Sequence, residues 1–140
     1  MFRLAQRSPT AREGVLMPVH LNHTIVSARD KTASASFLAD VLGLKPPTTF
    51  GPFAVVDLDN DVSLDFIDDA EIHPRHYAFL VTEAEFDEIF GRIRARGLEF
   101  WADPFERQPG EINTNDGGRG VYWHDPDGHV LEIITRPYGG

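Results

Sequence analysis

One glutamate within an apolar stretch is the residue of this chain best suited to chemistry. Glu132 is surrounded by aliphatic side chains in HVLEIIT, residues 129–135. An ionised carboxylate in such surroundings is costly unless it is paired or bound to a metal. The alternative is a glutamate on the solvent face of an edge strand. Two histidines on other predicted strands, His23 and His76, favour a metal, because two imidazoles and one carboxylate form the facial triad that binds Fe(II), Mn(II) and similar ions.

The two histidines begin equivalent halves of an internal repeat. The pairs His20–His23 and His73–His76 have the same spacing, and in both halves a predicted helix follows and ends at a Gly-Leu pair. If the two halves pair symmetrically, His23 and His76 come together. The earlier histidine of each pair lies three residues before its partner and therefore points to the opposite strand face. For the same reason His129 is expected to face away from Glu132, as a surface histidine beside a turn.

Alternating apolar residues, caps and turn residues predict the elements of both halves. The first half contains a strand over 19–27, a helix from the Asp30 N-cap to Gly43, and a hairpin over 53–58 and 62–67. The second half contains a strand over 75–81, a helix from the Thr82–Glu85 capping box to Gly97, an extended segment over 98–102, a polar loop over 103–118, and a hairpin over 121–135 around the turn DPDG. We therefore predict an α+β fold of two β-α-β-β-β modules, about 18–68 and 74–137, in a single domain over 18–137.

The composition of the chain excludes some classes of partner and indicates a cellular compartment. A formal charge of −9 over 140 residues argues against nucleic acid or an anionic membrane as a partner. No run of apolar residues is long enough to span a membrane, and the absence of cysteine fits a reducing compartment, so we expect a cytoplasmic protein. Residues 1–17 contain three arginines and no clear periodicity, which predicts a mobile N-terminal tail.

Four segments give the chain a resemblance to a known family: LNHTIV, SFLADVLGL, RHYAFLV and YWHDPDGHVLEI. Across residues 18–137 it resembles single-domain members of the vicinal oxygen chelate superfamily, which includes glyoxalase I, extradiol dioxygenases, fosfomycin-resistance thiol transferases and bleomycin-binding proteins. The resemblance implies a cupped mixed sheet around a divalent metal, with the helices on its outer face. It also implies the ligands His23, His76 and Glu132, a small-molecule substrate and a homodimer. Fe(II) or Mn(II) is favoured, and the same donors also accept Zn(II) or Ni(II).

The last hairpin resembles the extradiol dioxygenases most closely. Their pattern is matched by an aliphatic residue, a tyrosine, the acid-Pro-x-Gly turn and the ligand glutamate: Val121, Tyr122, Asp125, Pro126, Gly128 and Glu132. In that family the tyrosine hydrogen-bonds the metal-bound substrate, which makes Tyr122 a candidate catalytic residue. The family's acid–base histidine is missing, since residues 114–116 are Thr-Asn-Asp. His124 is the candidate substitute if it reaches the cavity.

Two other functions remain open. Asp65 occupies the strand of the first half that corresponds to the strand of Glu132, so a glyoxalase I-like lyase or isomerase would use it as a fourth ligand. A bleomycin-binding relative would instead sequester a ligand without metal, although the presence of all three presumptive ligands counts against that function. A thiol transferase is not favoured, because lysine occurs only at Lys31 and Lys45 and no lysine-rich phosphonate-binding loop is present.

Overall fold

The computed structural model describes residues 18–138, so the predicted tail over 1–17 lies outside the described residues. The first module contains five elements: β1 (His23–Ala28), α1 (Lys31–Leu42), β2 (Thr48–Phe50), β3 (Phe53–Asp57) and β4 (Ser63–Asp68). The second contains four: β5 (His76–Leu80), α2 (Glu83–Ala95), β6 (Gly120–His124) and β7 (Val130–Ile134). A short 3-10 turn spans Asn115–Gly117.

The strands form two mixed sheets, one for each module. The first has the strand order β1-β4-β3-β2 and the second the order β5-β7-β6. In both sheets the first and last strands of the module run parallel, and the other pairs are antiparallel. The predicted α+β fold is confirmed, but the cup is not closed within one chain. The predicted extended segment 98–102 forms no strand of its own and makes two isolated bridges, from Trp101 to Tyr122 and from Trp101 to Pro109.

The register of the two sheets confirms the internal repeat. In the first sheet His23 lies opposite Ser63, and Ile25 lies opposite Asp65. In the second sheet His76 lies opposite Val130, and Ala78 lies opposite Glu132. His23 and His76 therefore hold equivalent positions, as do Asp65 and Glu132, and each module presents one histidine and one acid from adjacent strands.

Both helices begin and end where the sequence predicts. Asp30 accepts a hydrogen bond from the Ala33 N–H, and α1 ends at Gly43, whose φ of 74° is left-handed. Thr82 and Glu85 form the capping box that opens α2. The helices cover the sheet faces that carry the core, including Val26, Phe66, Phe86, Ile89, Ile93, Val121 and Ile133. The opposite faces, which carry the candidate ligands, are left to form the site.

The DPDG turn connects the two modules. The Asp127 carboxylate accepts hydrogen bonds from the Arg29 N–H at 3.1 Å and from the Ser34 hydroxyl at 2.7 Å, both at the start of the first helix. Asp125 accepts the N–H groups of Asp127 and His129, which fixes the turn itself. The turn therefore reverses the chain and is also a joint, a set of hydrogen bonds that holds the two modules together.

His129 is part of the same joint, and the prediction of a surface histidine is wrong. Its side chain is only 1% exposed. Nδ1 accepts the Arg75 N–H at 2.9 Å, so Nε2 carries the proton and donates to the Ser27 carbonyl at 2.9 Å. The alternation of side chains along the strand correctly predicted that His129 faces away from Glu132. That face of the strand packs against the first module, so His129 is buried. Among residues 18–138, no helix has the length and apolar character needed to cross a membrane.

Candidate metal centre

The second sheet places a histidine against a buried carboxylate. Glu132 lies on the central strand β7, with β5 on one side and β6 on the other, and is 1% exposed. His76 Nε2 lies 3.0 Å from Glu132 Oε1. Desolvation makes such a carboxylate costly to keep ionised unless cations or hydrogen-bond donors surround it. His76 is half-exposed, so the pair lies on the face of the sheet that the helices leave uncovered.

Tyr122 lies beside this pair. It is opposite Glu132 in the β6–β7 ladder, and its ring stacks on the His76 ring with centroids 5.9 Å apart and planes at 23°. The side chain is 7% exposed. Three adjacent strands thus bring together the imidazole, the carboxylate and the phenol that the sequence had singled out separately.

A third aromatic group completes the cluster, and sequence reasoning missed it. The Tyr138 hydroxyl donates to Glu132 Oε2 at 2.6 Å, lies 2.8 Å from Oε1, and is 3.3 Å from the Tyr122 hydroxyl. Tyr138 follows the end of β7 and belongs to no strand, so neither periodicity nor repeat register points to it. Its only signal is an aromatic residue shortly after the strand of a candidate ligand.

Burial and hydrogen bonding keep both phenols protonated. Burial raises the pKa of Tyr122 well above its usual range, and the hydrogen bond to Tyr138 and the nearby Glu132 carboxylate act in the same direction. The pKa of Tyr138 is also raised, first by burial and then by its hydrogen bond to Glu132. Both hydroxyl groups are therefore hydrogen-bond donors at neutral pH.

His124 lies on the same strand face as Tyr122 but has partners of its own. Its ring lies against Trp101, with centroids 4.9 Å apart, and its Nε2 is 3.3 Å from Glu106 Oε2. Glu106 belongs to the loop after Trp101, in which the Asp103 carboxylate accepts the N–H groups of Phe105, Arg107 and Gln108. His124 thus has an acidic partner of its own, held by a hydrogen-bonded loop. This pair is separate from the contact between His76 and Glu132.

His23 and Asp65 belong to the other sheet. His23 is exposed, and its Nδ1 lies 2.8 Å from the Asn22 side-chain oxygen. Asp65 is half-buried and accepts a hydrogen bond from the Ser63 hydroxyl at 2.7 Å. Within residues 18–138, no three His, Asp or Glu side chains are grouped so that they could hold a metal ion. One chain therefore assembles two of the three predicted ligands, and the predicted trio stays a prediction.

The other two histidines lie outside both clusters. His20 is exposed ahead of β1, and the exposed His73 lies 3.6 Å from the Glu71 carboxylate. A cleft of about 470 Å³ lies beside β5 and is lined by Ala78, Leu80 and Arg92 among others, but not by His76 or Glu132. We therefore do not assign the substrate to that cleft.

The donor set fits a divalent metal in part. An imidazole nitrogen and a carboxylate oxygen in contact, with the carboxylate buried, are two members of a facial triad. Within this sheet, His124 is paired with Glu106 and lies against Trp101, so the third nitrogen donor would come from outside the sheet. His23 offers it by type and by repeat position, on a strand at the edge of the other sheet.

Comparison with known proteins gives one family and two kinds of relative. Residues 20–133 match the Glyoxalase/Bleomycin resistance protein/Dioxygenase superfamily. The chain is similar to a glutathione transferase, FosA, of Serratia marcescens, with 28% identity over 120 residues that cover 81% of this chain and 78% of that protein. It is similar to a metallothiol transferase, FosB, of Shouchella clausii, with 30% identity over 126 residues that cover 82% and 79%. Among solved structures it is similar to Oxidase ChaP-H1, with 71% identity, a TM-score of 0.86 and coverage of 88% of this chain and 100% of that chain.

Proposed function

Because the chain belongs to the glyoxalase/bleomycin resistance protein/dioxygenase superfamily, we propose that it is a metal-dependent enzyme that oxidises a small oxygenated molecule. Extradiol-type ring cleavage is the chemistry we consider first. The observation that carries this proposal is the Tyr122 phenol stacked on His76, beside Glu132, because a protonated phenol there can donate to a substrate oxygen. The similarity to a structure named as an oxidase, at 71% identity over its whole length, supports the same reaction class.

His76 and Glu132 are the residues of one chain that would hold the metal, and His23 of a second copy would be the third ligand. When bound, such an ion supplies a Lewis acid that polarises the oxygens of the substrate. Tyr122 positions the substrate by donating a hydrogen bond to one of those oxygens. His124, paired with Glu106, is the candidate to move a proton on the same strand face.

The edges of the two sheets support the homodimer that is part of this proposal. The strands β1 and β5, which carry His23 and His76, each lie at the edge of a sheet. The apolar side chains Ile25 and Leu80 on these strands are more than half exposed, as is Leu21 just before β1. Open strand edges with apolar side chains are normally covered. Pairing module one of one copy with module two of another covers them and brings the two half-sites together.

The test compares two variants that separate oxidation from isomerisation. With catechols as probes, Tyr122→Phe should slow oxygen uptake by the loss of one hydrogen bond, about 2–4 kcal/mol if it is well aligned. Asp65→Asn should spare both metal binding and oxygen uptake. Hemithioacetals are the matching probes for an isomerase, in which Asp65→Asn would remove a ligand and a base.

Each alternative function has an outcome of its own. Loss of metal in Asp65→Asn, with no oxygen uptake by the unaltered protein, would assign the chain to the glyoxalase I-like isomerases. Consumption of a thiol with fosfomycin as the acceptor would assign it to the transferases, which are 28–30% identical. If protein purified without oxygen contains no metal and binds no added metal, the chain would be a ligand-sequestering protein.

A further inference from the structure

We infer that Tyr138 is a positioning residue for the proposed metal site, because its hydroxyl contacts both oxygens of Glu132 and holds the carboxylate against His76. The inference rests on the proposed function, since it concerns how Glu132 is presented to the metal. Tyr138 lies after the last strand, where no sheet register fixes its side chain.

The carboxylate of Glu132 lies between two partners. The Tyr138 hydroxyl is 2.6 Å from Oε2 and 2.8 Å from Oε1, and Oε1 also lies 3.0 Å from His76 Nε2. The phenol therefore fixes the orientation in which the carboxylate faces the imidazole. Carboxylates that bind metals are commonly hydrogen-bonded through outer partners that set their orientation.

The exposure of the two side chains indicates that this contact is not ordinary packing. Glu132 is 1% exposed, so its second oxygen needs a donor from the protein itself. Tyr138 is 59% exposed and therefore contributes little to the core. The contribution of Tyr138 to the site is therefore its hydroxyl group.

The same hydroxyl orients Tyr122. Tyr138 has a single proton, which it donates to Glu132, so its 3.3 Å contact with the Tyr122 hydroxyl requires Tyr122 to be the donor. The Tyr122 proton is then available to a substrate oxygen that replaces Tyr138 as acceptor. Tyr138 thus acts on both the proposed ligand and the proposed substrate contact.

The experiment measures metal affinity in the full chain, with Mn(II) as the probe. Free Mn(II) is followed by electron paramagnetic resonance while the unaltered protein, Tyr138→Phe and Tyr77→Phe are titrated. Tyr77 is a matched control, because it is a half-buried tyrosine on β5 whose ring lies against His129. We expect Tyr138→Phe to bind Mn(II) about tenfold more weakly and Tyr77→Phe to bind as the unaltered protein does.

Two further measurements separate positioning from a loss of folding. A chain that ends at Pro137 should bind Mn(II) as weakly as Tyr138→Phe, and thermal unfolding without metal should show that both are folded. With Co(II), the visible absorption bands should change in Tyr138→Phe and not in Tyr77→Phe, since they report the ligand geometry.

The outcomes distinguish this inference from the proposed function. Equal or tighter Mn(II) binding by Tyr138→Phe, beside normal binding by the unaltered protein, overturns the inference alone; tighter binding would mean that the phenol competes with the ion. If the unaltered protein binds no divalent metal, the proposed function fails and the role of Tyr138 fails with it.

Discussion

At the scale of single residues, the proposed chemistry depends on how Glu132 is surrounded. Its carboxylate is almost fully buried, and its contacts are one imidazole and one phenol. Neither partner carries a permanent positive charge, so the carboxylate keeps the ability to bind a cation. This differs from Asp127, whose carboxylate is already used by the Arg29 guanidinium and the Ser34 hydroxyl.

The first prediction concerns the histidines. His23→Ala, His76→Ala and Glu132→Ala should each weaken divalent-metal binding strongly, because each removes one of three donors. His20→Ala and His73→Ala are matched controls and should bind as the unaltered protein does. Titration of the five variants with Fe(II), Mn(II) and Zn(II) measures this. Loss of metal in the His20 and His73 variants instead would place the site on the opposite strand face.

At the scale of elements, the joint formed by the DPDG turn and His129 holds the two modules together. The DPDG turn holds the start of α1 through Asp127, and His129 ties the end of β1 to the segment before β5. Both contacts lie at the ends of strands that carry candidate ligands. The placement of the two modules relative to each other is therefore set by buried polar groups as well as by the apolar core.

We predict that Asp127→Ala destabilises the protein by about 2 kcal/mol, because it leaves the Ser34 hydroxyl and the Arg29 N–H without their buried acceptor. Asp59→Asn, in the exposed turn between β3 and β4, is the control and should change the free energy of unfolding little. Urea unfolding followed by circular dichroism measures both. A loss of less than 0.5 kcal/mol for Asp127→Ala, roughly the effect of an ordinary surface change, would show that the joint is not a stabilising contact.

Local signals predicted the elements well and the contacts between them less well. Capping residues and left-handed glycines act within a few residues, so the bounds of α1 and α2 could be predicted closely. The repeat predicted that His23 and His76 are equivalent, whereas the contact of His76 with Glu132 follows from the parallel pairing of β5 with β7. The burial of His129 depends on Ser27 and Arg75, which are far from it in the chain, and strand parity cannot say what covers a face. Tyr138 lies beyond the last strand, where no periodicity applies.

At the scale of the whole molecule, the proposed site is divided between two sheets of one chain. His23 with Asp65 and His76 with Glu132 occupy equivalent positions, yet no three of the ligand-type side chains meet within residues 18–138. A symmetric dimer resolves this, because a twofold axis creates two equal sites, each from the first module of one copy and the second module of the other. The dimer is thus required by the proposed chemistry.

The last prediction tests this arrangement by mixing inactive variants. His23→Ala and His76→Ala should each lose metal binding alone. After subunits are exchanged, a mixed dimer has one site in which both altered residues meet and another that is intact. Random pairing should therefore restore about a quarter of the metal bound by the unaltered protein, since half of the dimers are mixed and each has one good site.

A second mixture gives the control for subunit exchange. His76→Ala and Glu132→Ala alter the same half-site, so each site of their mixed dimer lacks one ligand and no metal should return. Differently tagged subunits, captured through one tag, establish that mixed dimers have formed in both mixtures. Mixed dimers of His23→Ala and His76→Ala that bind no metal would contradict a site shared between copies, because one of their two sites would contain all three ligands.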